Sequence, residues 1–155
     1  VSYFVPTDDK SYVSFAHNLI FTDNYSIIWD CSVHFDTAAM FTGGSYFKTK
    51  PEFNLRFGIV PRHATSKEET VWIDTGGPGA IVHPLNSWEE EDGTIVIWTP
   101  FCEDLNLDLD TDEINTFLMM EYRLDPSTGT VIDRQTIDSN MNVEFSVVAT
   151  MGKKV

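Results

Sequence analysis

A chain of 155 residues, 42% hydrophobic and 13% aromatic, has the composition of one packed domain rather than a disordered segment. Its 24 acidic against 10 basic side chains leave a net charge of −14, a surface that repels phosphate backbones and argues against nucleic acid as a partner. No apolar run approaches the roughly 18–20 residues that a membrane-spanning helix needs.

Taken in chain order, the sequence reads as strand after strand. YSIIWD (25–30), LRFGIV (55–60), ETVWID (69–74), GTIVIW (93–98), TFLMMEYRL (116–124), TVIDRQTI (130–137) and NVEFSVVAT (142–150) are rich in β-branched and aromatic residues. Between them lie TGG, KTKPE, TGGPG, EEEDG and DPSTGT, all built from turn formers. DPSTGT predicts a hairpin, with Gly129 free to take the positive φ that a short β-loop needs. Residues 110–124 open with helix-capping side chains, but Leu118, Met120, Tyr122 and Leu124 alternate, which predicts a strand after a short loop. The expectation is an all-β fold of antiparallel strands: a sandwich, a barrel or propeller blades. No internal boundary divides residues 1–155. The chain starts at Val1 rather than Met and ends on GKKV, so it is expected to be an internal piece of a longer protein. There is no targeting segment to read, and plastid and cytoplasm both stay open.

Cys31 and Cys102 are the only cysteines and form no CxxC pair, which points to a reducing compartment and removes the common zinc and redox motifs. Of the four histidines, no two stand at the i, i+2 or i, i+4 spacing of a local metal clip, so a metal site has to be assembled from distant strands. His34, in CSVHFD, and His63, in PRHATSKEE, sit in polar, turn-like surroundings and are expected to be solvated. His17 and His83 each stand where an apolar run meets a turn, the place from which side chains point into a barrel mouth or onto a propeller axis. Glu144 lies within an otherwise apolar strand, either on a wet edge or as a carboxylate that orients a histidine. Asp104 to Asp112 alternate with leucines and lack the glycine and glutamate of a calcium loop.

The order of three motifs is more specific than any one of them. FAHNLIFTDNYSII (15–28), NLRFGIVPRHA (54–64) and TVWID (70–74) followed by VHPLNSWEEEDGTIVI (82–97) together resemble the carotenoid cleavage oxygenase family. The likeness runs from about Phe15 to Val148. It implies a seven-bladed β-propeller, incomplete in this piece, with ferrous iron, Fe(2+), on the axis held by four histidines. By the resemblance, His17 and His83 are two of those metal ligands, the other two lying outside the segment. Glu144 falls where the family places a glutamate that hydrogen-bonds an iron histidine.

The resemblance further implies oxidative cleavage by O2 of a C=C bond in a carotenoid, apocarotenoid or other polyene to carbonyl products, with peripheral membrane contact by the full-length protein. Asn86 and Trp88 are expected to build the turn after His83, with the glutamates as its solvated end. Asn18, Pro84–Leu85 and GGPGA (76–80) depart from the family's usual residues. An isolated segment holding two of four ligands is expected to be inactive. The contrasting reading is a non-catalytic propeller or sandwich binding module that kept the scaffold.

Overall fold

The structure, a computed structural model, describes residues 13–15, 17–43, 45–107 and 114–139. Eleven strands account for nearly all the regular structure among them. They are β1 (Val13–Ser14), β2 (Ile20–Phe21), β3 (Tyr25–Asp30), β4 (Val33–Phe35), β5 (Phe47–Thr49), β6 (Arg56–Pro61), β7 (Val71–Asp74), β8 (Asn86–Glu89), β9 (Ile95–Phe101), β10 (Leu118–Asp125) and β11 (Thr130–Asp138). One short α-helix, α1 (Ala39–Thr42), and one 3-10 turn, Lys67–Glu69, interrupt them.

The strands form two four-stranded antiparallel sheets, in the orders β2-β3-β6-β7 and β8-β9-β10-β11. Each starts on a short strand and ends on a strand with no further partner among the described residues. Between β3 and β6 the chain leaves the first sheet to form β4 and β5, which join β1 in a side sheet, β1-β4-β5. The expected antiparallel, all-β architecture is therefore what the chain adopts. The expected seventh strand, 142–150, lies outside the described residues.

Burial explains the order of strands within each blade. The middle strands are the most buried: Leu55, Phe57 and Ile59 fill one face on and beside β6, and Ile95, Val96 and Ile97 bury both faces of β9. Burying each such side chain contributes roughly 1.5–3 kcal/mol before the entropy of ordering it is subtracted. β10 shows the predicted alternation, with Met120, Tyr122 and Leu124 inward and Glu121 and Arg123 on the other face. β11, mostly exposed, is the outer strand. The two blades pack through one core in which the Phe57 ring meets Tyr122 edge-on, 5.2 Å between centroids. The hairpin joining β10 to β11 is the expected one. Gly129 has φ +69° and donates its amide to the Asp125 carbonyl, while the Asp125 carboxylate accepts from Ser127 and Thr128.

One local expectation fails here. Asn86 and Trp88 do not build a turn; they belong to β8, paired with Trp98 and Val96 of β9. The turn comes three residues later, where the Gly93 amide donates to Glu90. β8 holds two polar residues, Asn86 and Ser87, that are buried because this first strand of the blade packs against its neighbour β2.

Candidate functional site

Each blade begins in the same way. His17 stands three residues before β2 and His83 three residues before β8. Sixty-six residues separate the two histidines, and 66 separate Ile20 from Asn86, so the side chains occupy equivalent places on successive blades. Packing of the blades brings their rings together, 4.8 Å between centroids and nearly perpendicular at 82°. His17 is exposed and His83 half-buried.

Several bonds hold this approach. The Ser87 hydroxyl donates to the Phe21 carbonyl (2.9 Å), tying β8 to β2. Glu89 accepts from both the backbone and the side-chain amide of Asn24 (2.8 and 2.7 Å), clamping the turn after β2 to the end of β8. Burial pushes the Glu89 carboxyl up, but the Asn24 and Thr22 hydrogen bonds outweigh it and hold the group below the usual carboxylate range. It is therefore a firm, ionised acceptor at neutral pH.

The strap that carries His83 from β7 to β8 is clasped at three points. Gly79 exchanges backbone and hydroxyl bonds with Ser32, Ala80 pairs with Cys102 in both directions, and the Ile81 carbonyl accepts from the Trp29 indole at 2.8 Å.

A row of aromatic rings leads away from the pair. Phe15 lies 5.5 Å from His17, Phe47 5.2 Å from Phe15, Phe35 5.7 Å from Phe47, and the half-exposed Tyr46 6.4 Å from Phe35. The side sheet supplies most of these rings, so its role is to wall one approach to the histidines with apolar surface.

The other sequence-predicted residues fall elsewhere. His63 is exposed, as expected. His34 is not solvated: it is only 2% exposed in β4 and packs edge-on against Phe53 at 5.3 Å. Burial, then the nearby Lys50 charge, push its imidazole below the ordinary histidine range. The polar flanks of CSVHFD suggested water, whereas the side sheet folds over that stretch. Glu144 lies outside the described residues, as do Asp108, Asp110 and Asp112. Among the described residues, no three His, Cys, Asp or Glu side chains gather closely enough to hold a metal ion.

Ferrous iron can be tested against these residues. Imidazole nitrogen suits Fe(II), and two rings sharing one ion at about 2.0–2.1 Å from nitrogen lie with centres roughly 4.5–5 Å apart when adjacent in the coordination sphere. The observed separation fits. A ring separation of 4.8 Å is compatible with two imidazoles that share one ion.

Sequence reasoning missed the Ser87 and Glu89 ties and the wall at Phe15. A signal for the blade equivalence was present: His17-Asn18-Leu19 and His83-Pro84-Leu85 repeat the same His-x-Leu step before a strand.

The sequence profile of the retinal pigment epithelial membrane protein family matches residues 2–153. Among curated relatives, a zeaxanthin 7,8(7',8')-cleavage dioxygenase of Crocus sativus is 29% identical over 136 residues, covering 87% of this chain and 36% of its own length. A carotenoid 9,10(9',10')-cleavage dioxygenase of the same plant is 30% identical over 129 residues, 77% of this chain and 23% of its own. A 9-cis-epoxycarotenoid dioxygenase of Oryza sativa subsp. japonica is 28% identical across 97% of this chain and 24% of its own.

Cobalt-substituted ACO of Synechocystis superposes with a TM-score of 0.77 over 92% of this chain and 31% of that one, at 22% identity. The chain thus spans about a third or less of the relatives it matches. The structural likeness shows the fold: the two sheets are antiparallel blades forming part of a seven-bladed β-propeller.

Proposed function

The chain belongs to the retinal pigment epithelial membrane protein family, and from that membership we propose that the protein carrying it is a non-haem Fe(II) dioxygenase acting on a carotenoid or apocarotenoid. The observation that carries the reading is the meeting of His17 and His83 from equivalent positions on adjacent blades. The relatives' own names, as carotenoid cleavage dioxygenases, support the substrate class.

The net reaction is balanced by one O2: a C=C bond breaks and each carbon leaves as C=O. Ferrous iron, when bound, supplies the means of binding and reducing dioxygen that an all-protein site lacks. His17 and His83 would hold it through neutral imidazole nitrogens, with two further histidines supplied from outside these residues.

The chain's own side chains prepare that site. The Ser87–Phe21 and Glu89–Asn24 ties keep the two blade starts at one separation, so neither imidazole has to be drawn in when metal arrives. Phe15 packs beside His17 and limits the rotation of its ring. Glu144, we propose, accepts the remaining ring N–H of His83, fixing its tautomer and making the other nitrogen a better donor. The row from Phe15 through Phe47 and Phe35 offers a polyene apolar and π contacts while excluding water.

The test is turnover. The full-length protein, incubated aerobically with an apocarotenoid, should yield two carbonyl fragments whose masses account for both halves of the substrate. Product formation should stop under argon. Fragments that form equally without oxygen, or none from any polyene tried, would shift the assignment to a binding module on the same scaffold.

A further inference from the structure

His17 and His83 sit on stretches outside the strands, so something other than a strand ladder has to hold them at one separation. His17 follows the end of β1 by three residues, and His83 follows the Ala80–Cys102 bridge by three. Both of these arms hydrogen-bond to the same short segment, residues 29–33, which leaves β3 and enters β4.

On the His83 side, the Trp29 indole donates to the Ile81 carbonyl at 2.8 Å and the Ser32 amide donates to the Gly79 carbonyl at 3.1 Å. On the His17 side, the Phe15 amide donates to the Val33 carbonyl at 3.0 Å. The Cys31 sulfur lies 3.7 Å from the Phe15 carbonyl and 3.6 Å from that of Val33. Burial pushes the Cys31 thiol up, so it stays protonated and offers these carbonyls one weak donor.

The two side-chain contacts fall at matching places. Phe15 stands two residues before His17 and Ile81 two before His83, the same 66-residue step that separates the histidines. Their carbonyls meet Trp29 and Cys31, alternate residues of one segment, both buried in the core. A small displacement of that segment therefore carries both arms with it and preserves the gap between the rings. Two unconnected tethers would let the gap drift, and a constellation of ligands tolerates only about 0.5 Å of error.

We propose that residues 29–33 form a common bracket for the two ligands, with Trp29 the positioning residue for His83 and Cys31 the positioning residue for His17. The proposal rests on the iron reading above and adds to it the part of the chain that sets the ligand spacing.

Full-length protein, stripped of metal and titrated anaerobically with Co(II), provides the test, read by the visible d–d absorption, whose intensity follows coordination geometry. Trp29→Phe should weaken Co(II) binding about tenfold, the lower end of what loss of an outer hydrogen bond costs a metal site. Cys31→Ala should weaken it about threefold, and Cys31→Ser, which keeps a donor, should stay within about a factor of two of the native protein. Trp98→Phe is the control for stability alone, since the Trp98 indole donates to Glu121 of β10, at 2.6 Å, instead of to an arm. It should lower the urea midpoint and leave Co(II) affinity unchanged.

Should Trp29→Phe not fold, Cys31→Ala against Cys31→Ser decides. Folded variants that bind Co(II) as the native protein does, a loss confined to one of the two arms, or an equal loss in Trp98→Phe would each overturn the bracket. A native protein that takes up no Co(II) would overturn the iron reading itself, and this proposal with it, before any variant is compared.

Discussion

Gly79 offers a quantitative test of how the histidine strap is held. It adopts φ +141°, a conformation that L-residues rarely take. A Cβ built there would lie 2.1 and 2.4 Å from Cε2 and Cζ of Phe101 and 3.3 Å from the Cys102 carbonyl. Gly79→Ala therefore incurs two costs. Backbone strain contributes about 1–3 kcal/mol, and displacing the Phe101 ring from a packed position a further 1–3 or so. The ring can swing but the Cys102 carbonyl cannot, since it accepts from Ala80, so the sum should fall at about 2–6 kcal/mol. Gly77, two residues earlier, is the control: nothing lies within 4 Å of its Cβ position. Gly77→Ala should be neutral, or stabilising by up to about 1 kcal/mol through the unfolded chain. Urea midpoints of the two full-length variants, with hydrogen exchange at the Ala80 amide, measure the difference. A Gly79→Ala protein within about 0.5 kcal/mol of the native one, or a Gly77→Ala protein equally damaged, would refute the clasp as described.

Other expectations follow from the same geometry. Arg56 donates to the buried Asp30 carboxylate at 3.0 and 3.2 Å and lies over the Trp72 ring at 4.2 Å; Arg56→Ala should cost about 3–5 kcal/mol by stranding that charge, and Asp30→Leu with Arg56→Met should recover most of it in chemical denaturation. Burial pushes the Cys31 thiol up to about 12, so iodoacetamide at pH 8 should leave Cys31 unmodified until the protein is unfolded, as mass spectrometry of the peptide would show. The Ser127 and Thr128 hydrogen bonds hold the Asp125 carboxyl down at about 2, below its unfolded value near about 4, so the hairpin's stabilisation by this group is complete above pH ~4 and is lost as pH falls through ~2. Ser127→Ala should raise the Asp125 midpoint in a carboxyl ¹³C titration; an unchanged midpoint would contradict that cause.

What could be read from the sequence depended on strand length and on which face a strand buries. β3, β6, β9, β10 and β11 are runs of six to nine residues whose β-branched and aromatic content stands out, and the structure places them within a residue or two of the expected positions, except that β9 runs three residues further, to Phe101. β1, β2, β4, β5 and β8, of two to four residues, carry too few side chains to show a period. β8 was hidden for a second reason: NSWE looks like a turn, and only its packing against β2 makes buried Asn86 and Ser87 acceptable. His34 was misplaced in the same way, because burial by β1, β5 and Phe53 depends on a side sheet that local composition does not reveal.

His17 and His83 stood out partly through their place at strand entries and partly through the family resemblance. Their approach to 4.8 Å was not legible, since it depends on the two blades packing through Phe57 and Tyr122.

The central claim, that His17 and His83 jointly hold iron, is tested most directly by the iron content of the full-length protein purified anaerobically beside His17→Ala and His83→Ala. The account predicts about one iron per chain in the native protein and loss of it in each variant while its circular dichroism stays that of a folded β protein. A folded native protein without iron, or variants that keep it in full, would contradict the claim.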